Sequence, residues 1–129
     1  MREIEFRGKA LIDYDYICDA GDWIYGGIST YDDNVWIINY NEQLILVDPE
    51  TVGQYTGKND FNGVKAFDGD TINRTHDDVS FNPSLWRVYW DEDFSQWRQN
   101  GKQYGSQMLL STSRHYKQEI IGNIYEGRL

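Results

Sequence analysis

Leu85-Trp86-Arg87-Val88-Tyr89-Trp90-Asp91 decides the fold class, because its side chains alternate strictly between two faces. Trp86, Val88 and Trp90 fall on one side and Leu85, Arg87 and Tyr89 on the other, which is the period of two that a pleated strand imposes. An apolar face backed by a mixed one is the pattern of a strand with one side buried. Outward from this stretch, Gly, Asn and Asp punctuate the chain at short intervals, and apolar residues at helical spacing are almost absent. The chain therefore reads as all-β, with strands expected at 4–8, 23–30, 35–40, 43–47, 51–55, 69–73, 85–91, 107–111 and 119–125. So many short strands suit a small barrel or sandwich. Asn62-Gly63 and Asn100-Gly101 each supply the two positive-φ residues of a type I′ hairpin turn, the second between segments 94–99 and 102–107. Asp48-Pro49 and Asn82-Pro83 are the only proline breaks. The expectation is a single domain over 1–129, with a polar stretch near 74–84 as the place for any internal division.

Composition narrows the function classes. The 129 residues carry 21 acidic and 12 basic side chains, a formal net charge of −9, with one Cys. That length predicts one core rather than two independent ones. Five Trp, ten Tyr and five Phe give too much aromatic surface for a disordered chain. The lone Cys18 excludes an internal disulfide framework, a cysteine-ligated zinc ribbon and a CxxC redox pair. No apolar run approaches the roughly 18 residues of a membrane span, and Met1-Arg2-Glu3-Ile4-Glu5 lacks a signal-peptide hydrophobic region, so a soluble, cytoplasmic protein is expected.

The charge is unevenly distributed. Residues 10–57 contain Asp13, Asp15, Asp19, Asp22, Asp32, Asp33, Glu42, Asp48 and Glu50 and no Lys or Arg. Residues 94–118 contain Arg98, Lys102, Arg114 and Lys117 and no acid, interleaved with Trp97, Tyr104, His115 and Tyr116. Such segments can be solvated faces that keep a protein in solution. The acidic one can also meet a cationic partner or the basic segment of a second copy, and the basic one a phosphate backbone.

Catalytic patterns do not survive comparison with their structural alternatives. His76-Asp77-Asp78 offers imidazole and carboxylates, but three adjacent residues rarely converge on one ion, so an exposed acidic loop is expected. Asp91-Glu92-Asp93 lacks the Gly and distal Glu of a calcium loop and reads as a charged hairpin shoulder. Ser111, Ser113 and His115 alternate without a G-x-S-x-G elbow. Cys18 reads as a small apolar packing residue. Carboxylate pairs are too abundant to be informative, and Gly26-Gly27 does not precede a helix as a phosphate loop would. No catalytic residue, metal or cofactor is assigned.

Four motifs resemble the YopX-like proteins of bacteriophages and prophages: Phe6-Arg7-Gly8-Lys9, then Trp23-Ile24-Tyr25-Gly26, then Asp48-Pro49-Glu50-Thr51-Val52-Gly53-Gln54-Tyr55-Thr56-Gly57, and a closing Ile120-Ile121-Gly122-Asn123-Ile124-Tyr125-Glu126. Asp60, Asn62-Gly63 and Phe67-Asp68-Gly69-Asp70 resemble the family's hairpin with its aromatic-acid-Gly-Asp turn. The sequence departs from the pattern at 10–22, an Asp- and Tyr-rich insertion, and at Phe67-Asp68, where Tyr-Glu is more usual; residues 79–117 match loosely. The resemblance implies an all-β fold with a small SH3-like barrel plus additional antiparallel strands and hairpins, and a phage or prophage origin in a bacterial cell, with no established activity. Most of the matched residues are Gly, aromatic or turn types, and they read as architecture. Pro49-Glu50-Thr51 is expected to open a strand, with the Thr51 and Thr56 hydroxyls bonding turn backbone. Glu50, Gln54 and Asp70 are the polar exceptions.

Two readings of function follow. The first is a non-enzymatic interaction module that binds a protein partner or assembles with itself through the acidic face of Asp13, Asp15, Asp19, Asp22, Asp32 and Asp33. The alternative is a small β-protein that binds single-stranded nucleic acid, with Arg98, Lys102, Arg114 and Lys117 on phosphates and Trp97 and Tyr104 stacking on bases. The net charge of −9 opposes a polyanion at long range. A metal-dependent hydrolase has the least support.

Overall fold

The computed structural model describes residues 3–102, 104–111 and 114–126. Among them run eleven strands: β1 (Phe6–Lys9), β2 (Trp23–Tyr31), β3 (Asn34–Ile38), β4 (Leu44–Val47), β5 (Gly53–Asn59), β6 (Lys65–Phe67), β7 (Asp70–His76), β8 (Ser84–Asp91), β9 (Gln96–Gly101), β10 (Gly105–Met108) and β11 (Tyr116–Asn123). Two short 3-10 turns, Pro49–Thr51 and Ile124–Glu126, complete the set. The all-β expectation holds. The chain divides into two compact units, Met1–Tyr55 and Thr56–Leu129, and β5 runs from the first into the second. The polar stretch near 74–84 connects β7 to β8, which are paired neighbours inside the second unit.

In the first unit the antiparallel order is β4-β3-β2-β1-β5. Alternation puts Ile24, Ile37, Ile45 and Val47 inside with Ala10, and Phe6, Tyr14, Cys18, Val35 and Val52 pack around them. The sheet curls strongly. Ala10 bridges Val47, the Leu11 amide donates to the Leu46 carbonyl at 3.0 Å, and the Asp48 amide donates to the Lys9 carbonyl at 2.8 Å. These bonds bring the end of β1 round to β4 at one corner only. The unit is thus a curled antiparallel sheet, and among the described residues it does not close into a barrel. Gly26, at φ +155°, faces Ile38 across this curl; a Cβ there would lie 1.9 Å from the Ile38 carbonyl oxygen, so no side chain fits.

The second sheet has the order β10-β9-β8-β7-β11. Trp86 and Val88 are buried with Ile72 and Leu109, while Trp97, Leu110 and Ile120 close the cluster. Trp86 and Val88 occupy the buried side as their alternation predicts, but Trp90 stays half exposed, edge-on to Trp97 at 5.2 Å. Where composition predicts one core, the buried apolar side chains form two clusters, one under each sheet.

Three local expectations are corrected. Pro49–Thr51 is a 3-10 turn, not the start of a strand, because the Asp48 carboxylate accepts the Glu50 amide at 3.0 Å and caps it; the strand begins at Gly53. Asn100-Gly101 belongs to β9, and the hairpin turns only after Gly101, with Gly105 at the start of β10 carrying the positive φ. The cause lies across the sheet: Gly101 sits over Trp86, and a Cβ would come within 2.9 Å of the indole, so this glycine is needed for close approach. At Asn62-Gly63 only Gly63 takes positive φ, the pattern of a three-residue loop with a glycine bulge. The two-residue type I′ turn lies instead between β2 and β3, where Asp32 and Asp33 adopt φ of 51° and 65°. The hydroxyl expectations hold: Thr51 donates to the Asp48 carbonyl at 2.7 Å and accepts the Lys9 amide, and Thr56 accepts the Lys58 amide.

Candidate functional site

In the first unit, the insertion at 10–22 folds back on itself through a bridge between Tyr14 and Cys18. Asp13 accepts the Ala20 amide at 2.8 Å and Asp22 accepts the Asp19 amide at 2.9 Å, so two of its carboxylates tie the loop together. Asp13, Asp15, Asp19 and Asp22 all line one open concavity of about 430 Å³ with Tyr14, Tyr16, Ile17 and Cys18. Tyr16 is fully exposed and held at φ 65°, and Leu11, Ile12 and Ile17 are exposed beside it. Burial raises the Cys18 thiol above its ordinary pKa, the Asp22 carboxylate adding to the shift, so this is a packing thiol rather than a reactive one. The loop also protects β4. The Leu46 amide on that edge donates to the Tyr14 hydroxyl at 3.0 Å, and the Leu46 carbonyl is taken by Leu11. Asp32 and Asp33 stand apart at the β2–β3 turn beside exposed Tyr31, so the six acidic residues expected as one face separate into a loop of four and a turn of two.

In the second unit, Ile72, Arg74 and His76 share one side of β7 by their even spacing, and register sets Trp86 opposite Ile72, Ser84 and Gln118 opposite Arg74, and Tyr116 opposite His76. The Arg74 guanidinium carbon lies 4.1 Å from the centre of the Trp86 ring, 4.7 Å from Tyr116 and 5.4 Å from Tyr104. Arg74 Nη1 donates to Gln107 Oε1 at 3.0 Å, whereas its buried Nε has no hydrogen-bond partner among the described residues. Tyr104 stacks on Trp86 at 5.5 Å, and His76 meets the Tyr116 ring edge-on at 4.7 Å. The result is a caged cation in a row of rings. Sequence reading missed Arg74, although the Ile72-Arg74-His76 alternation marks it.

The residues expected to bind nucleic acid do not form one surface. Trp97 packs against the core on the side that carries Trp86 and Gln99. Arg98 and Lys117 emerge on the other side of the sheet. Arg98 donates to Ser106 and Gln96, lies over Phe94, and approaches Asp91 at 3.8 Å; Lys117 pairs with Glu119 at 3.0 Å. Lys102, Tyr104 and Arg114 fall on the Arg74 side: Tyr104 and Lys102 line a concavity of about 630 Å³, Arg114 and Tyr116 another of about 330 Å³.

The constellations weighed for chemistry are used by the loops. His76 Nδ1 accepts the Asp78 amide at 2.9 Å, Asp78 accepts the Ser80 amide and hydroxyl, and Asp77 meets His115 Nδ1 at 3.2 Å. The His115 hydrogen bond, with both imidazoles nearby, holds the Asp77 carboxyl below its ordinary value, and the Ser80 bonds do the same for Asp78. Asp91 accepts the Asp93 and Phe94 amides, the hairpin shoulder expected of it. Neither Ser111 nor His115 lies in a strand, and Ser113 lies outside the described residues. Among the described residues no three His, Cys, Asp or Glu side chains are placed to hold a metal ion, and no helix is long and apolar enough to cross a membrane.

The motif residues are structural in their contacts. Arg7 and Lys9 lie over the Trp23 ring at 4.6 and 5.4 Å, and Phe6, Arg7, Gly8 and Lys9 pair with Gly26, Tyr25, Ile24 and Trp23. Phe6 and Arg7 also pair with Gln54 and Gly53. Tyr55 and Thr56 are buried, Val52 packs on the first core and Glu50 is exposed. Gly57 and Gly69 take positive φ, and buried Asp70 accepts the Phe67 amide at 2.7 Å. A comparison with curated proteins finds none that matches the chain. The family described as YopX protein matches residues 5–128, spanning every one of these motifs, and the chain belongs to that family.

Proposed function

We propose that the chain is a non-enzymatic interaction module, an accessory protein of a phage or prophage acting in the bacterial cytoplasm, and that its contact is the loop at 10–22. One observation carries the reading: Tyr16 and Ile17, both exposed, share a single concavity with four carboxylates, and exposed Leu11 and Ile12 stand in the same loop. Apolar and aromatic side chains set beside charged ones are what protein interfaces combine, and Tyr is among the residues that dominate such contacts. The partner chemistry that fits is a basic segment with apolar side chains, contributed by another protein or by a second copy of this chain. Carboxylates that steer association make it salt-dependent.

The test is fluorescence anisotropy of a labelled peptide of alternating Lys and Leu, with labelled polylysine as the charge-only control. Tighter binding of the Lys-Leu peptide, weakened by salt, by Tyr16→Ala and by a double Asp15→Asn, Asp19→Asn variant, is expected. Binding that ignores these substitutions, or no binding at low salt, removes the reading. Sedimentation of the protein alone over a range of concentration separates self-assembly from a foreign partner.

A further inference from the structure

We propose that the Arg74 side of the second sheet binds single-stranded nucleic acid along a path formed by Lys102, Tyr104, Arg74, Tyr116 and Arg114. This site lies in the other unit from the acidic loop and does not depend on the function proposed above.

The arrangement alternates cations with rings. Arg74 stands between Tyr104 and Tyr116, in contact with both, and each tyrosine opens onto its own concavity. Tyr104 is 52% exposed and Tyr116 39%, although both are braced from within: Tyr104 rests on Trp86, which is 1% exposed, and Tyr116 on Arg74 and the edge of His76. A ring fixed on one face and open on the other is a stacking platform, because little conformational freedom is lost when a base lands on it. Lys102 and Arg114 extend the path at its two ends, and neither makes an ion pair among the described residues. Among the described residues Arg74 likewise has no carboxylate partner, and a half-buried cation without one favours an anion brought in from outside. The one carboxylate in either lining is Asp60, whose oxygens are taken by three backbone amides. Exposed Phe81 and Phe61 supply apolar walls for sugars and base faces. The opposite side of the sheet has cations too, but Lys117 pairs with Glu119 and Arg98 lies near Asp91.

Anisotropy of labelled oligothymidylate and oligouridylate tests the path. Affinity should fall with salt at a log–log slope near −2, as expected for about three phosphate contacts on a single strand. Lys102→Ala and Arg114→Ala, both at exposed positions, should each reduce that slope by about 0.7. Tyr104→Ala should weaken binding about tenfold or more through loss of a stacked base. Arg87→Ala and Arg98→Ala on the other side, neither of which lines either concavity, should leave affinity within about twofold. Circular dichroism of every variant confirms that it is folded. The proposal is overturned by absence of binding at low salt or by equal losses from the opposite-side variants. Equal competition by a free mononucleotide also overturns it, since that would make the site a single-nucleotide pocket.

Discussion

Replacing Asp60 by Asn should destabilise the second unit by about 2–3 kcal/mol, although the change swaps only an oxygen for an NH2 group. Asp60 is 8% exposed. One of its oxygens accepts the Asn62 and Val64 amides, each at 2.8 Å, and shapes the hairpin between β5 and β6; the other accepts the Ile120 amide at 2.8 Å, sixty residues along the chain. An asparagine keeps two of these bonds only by turning its NH2 toward Ile120, which sets donor against donor. A bond to a charged acceptor contributes about 1.5–3 kcal/mol, and the two that survive lose charge assistance. Turning the amide the other way forfeits two bonds, so the first orientation wins. Asp60→Ala loses all three and should cost about 4 kcal/mol or more. Urea unfolding followed by tryptophan emission measures the change, with an unaltered m-value required for a stability effect. Amide hydrogen exchange should show Ile120 losing protection in the Asn variant while Asn62 and Val64 keep most of theirs. A loss below about 0.5 kcal/mol with Ile120 still protected would refute the reasoning.

Four further outcomes are expected. Gly26→Ala should cost about 3 kcal/mol, because its Cβ meets the Ile38 carbonyl oxygen and neither strand can move without losing the β2–β3 ladder; thermal unfolding reads it, and an unchanged midpoint counts against the close approach. Asp33→Gly should stabilise by about 0.5 kcal/mol, since relief of a left-handed conformation outweighs the entropy of glycine; a loss in urea titration would contradict that. Tyr14→Phe should cost about 1 kcal/mol and promote self-association by baring the Leu46 amide on the β4 edge, which sedimentation at rising concentration would detect; a monomer as stable as the parent would disprove it. The Asp77 carboxyl, lowered chiefly by the His115 hydrogen bond, contributes stability that is present above the ordinary carboxylate pKa and lost as pH falls through its lower folded value. In His115→Ala its titration, followed by carboxyl NMR, should move back toward the ordinary value, and an unmoved titration would assign the shift elsewhere.

Some of this molecule is legible in the residues alone, because local rules govern it. The alternation of Leu85–Asp91 gives a strand and its buried side, since successive side chains must point to opposite faces of a pleat. The motif stretches give family membership, borne out over 5–128, because glycines and turn residues at special backbone positions tolerate few substitutes. Turn placement was less legible. Asn100-Gly101 has ideal turn chemistry, yet the demand for a bare backbone over Trp86 outweighs it, and that demand comes from a strand fifteen residues away. The charge pattern was read correctly as a count and incompletely as a surface. A list of basic and aromatic residues at 97–117 cannot say which side of the sheet each occupies, and the pleat sends Arg98 and Lys117 away from Tyr104 and Arg114. Arg74 stands outside that segment, and only antiparallel pairing with β8 and β11 brings it among Trp86, Tyr104 and Tyr116. Sequence by itself determined the β class, the family and the inward and outward sides of single strands, all properties of near neighbours. The tertiary structure alone decided which rings surround which cation, because that depends on register between strands far apart in the chain.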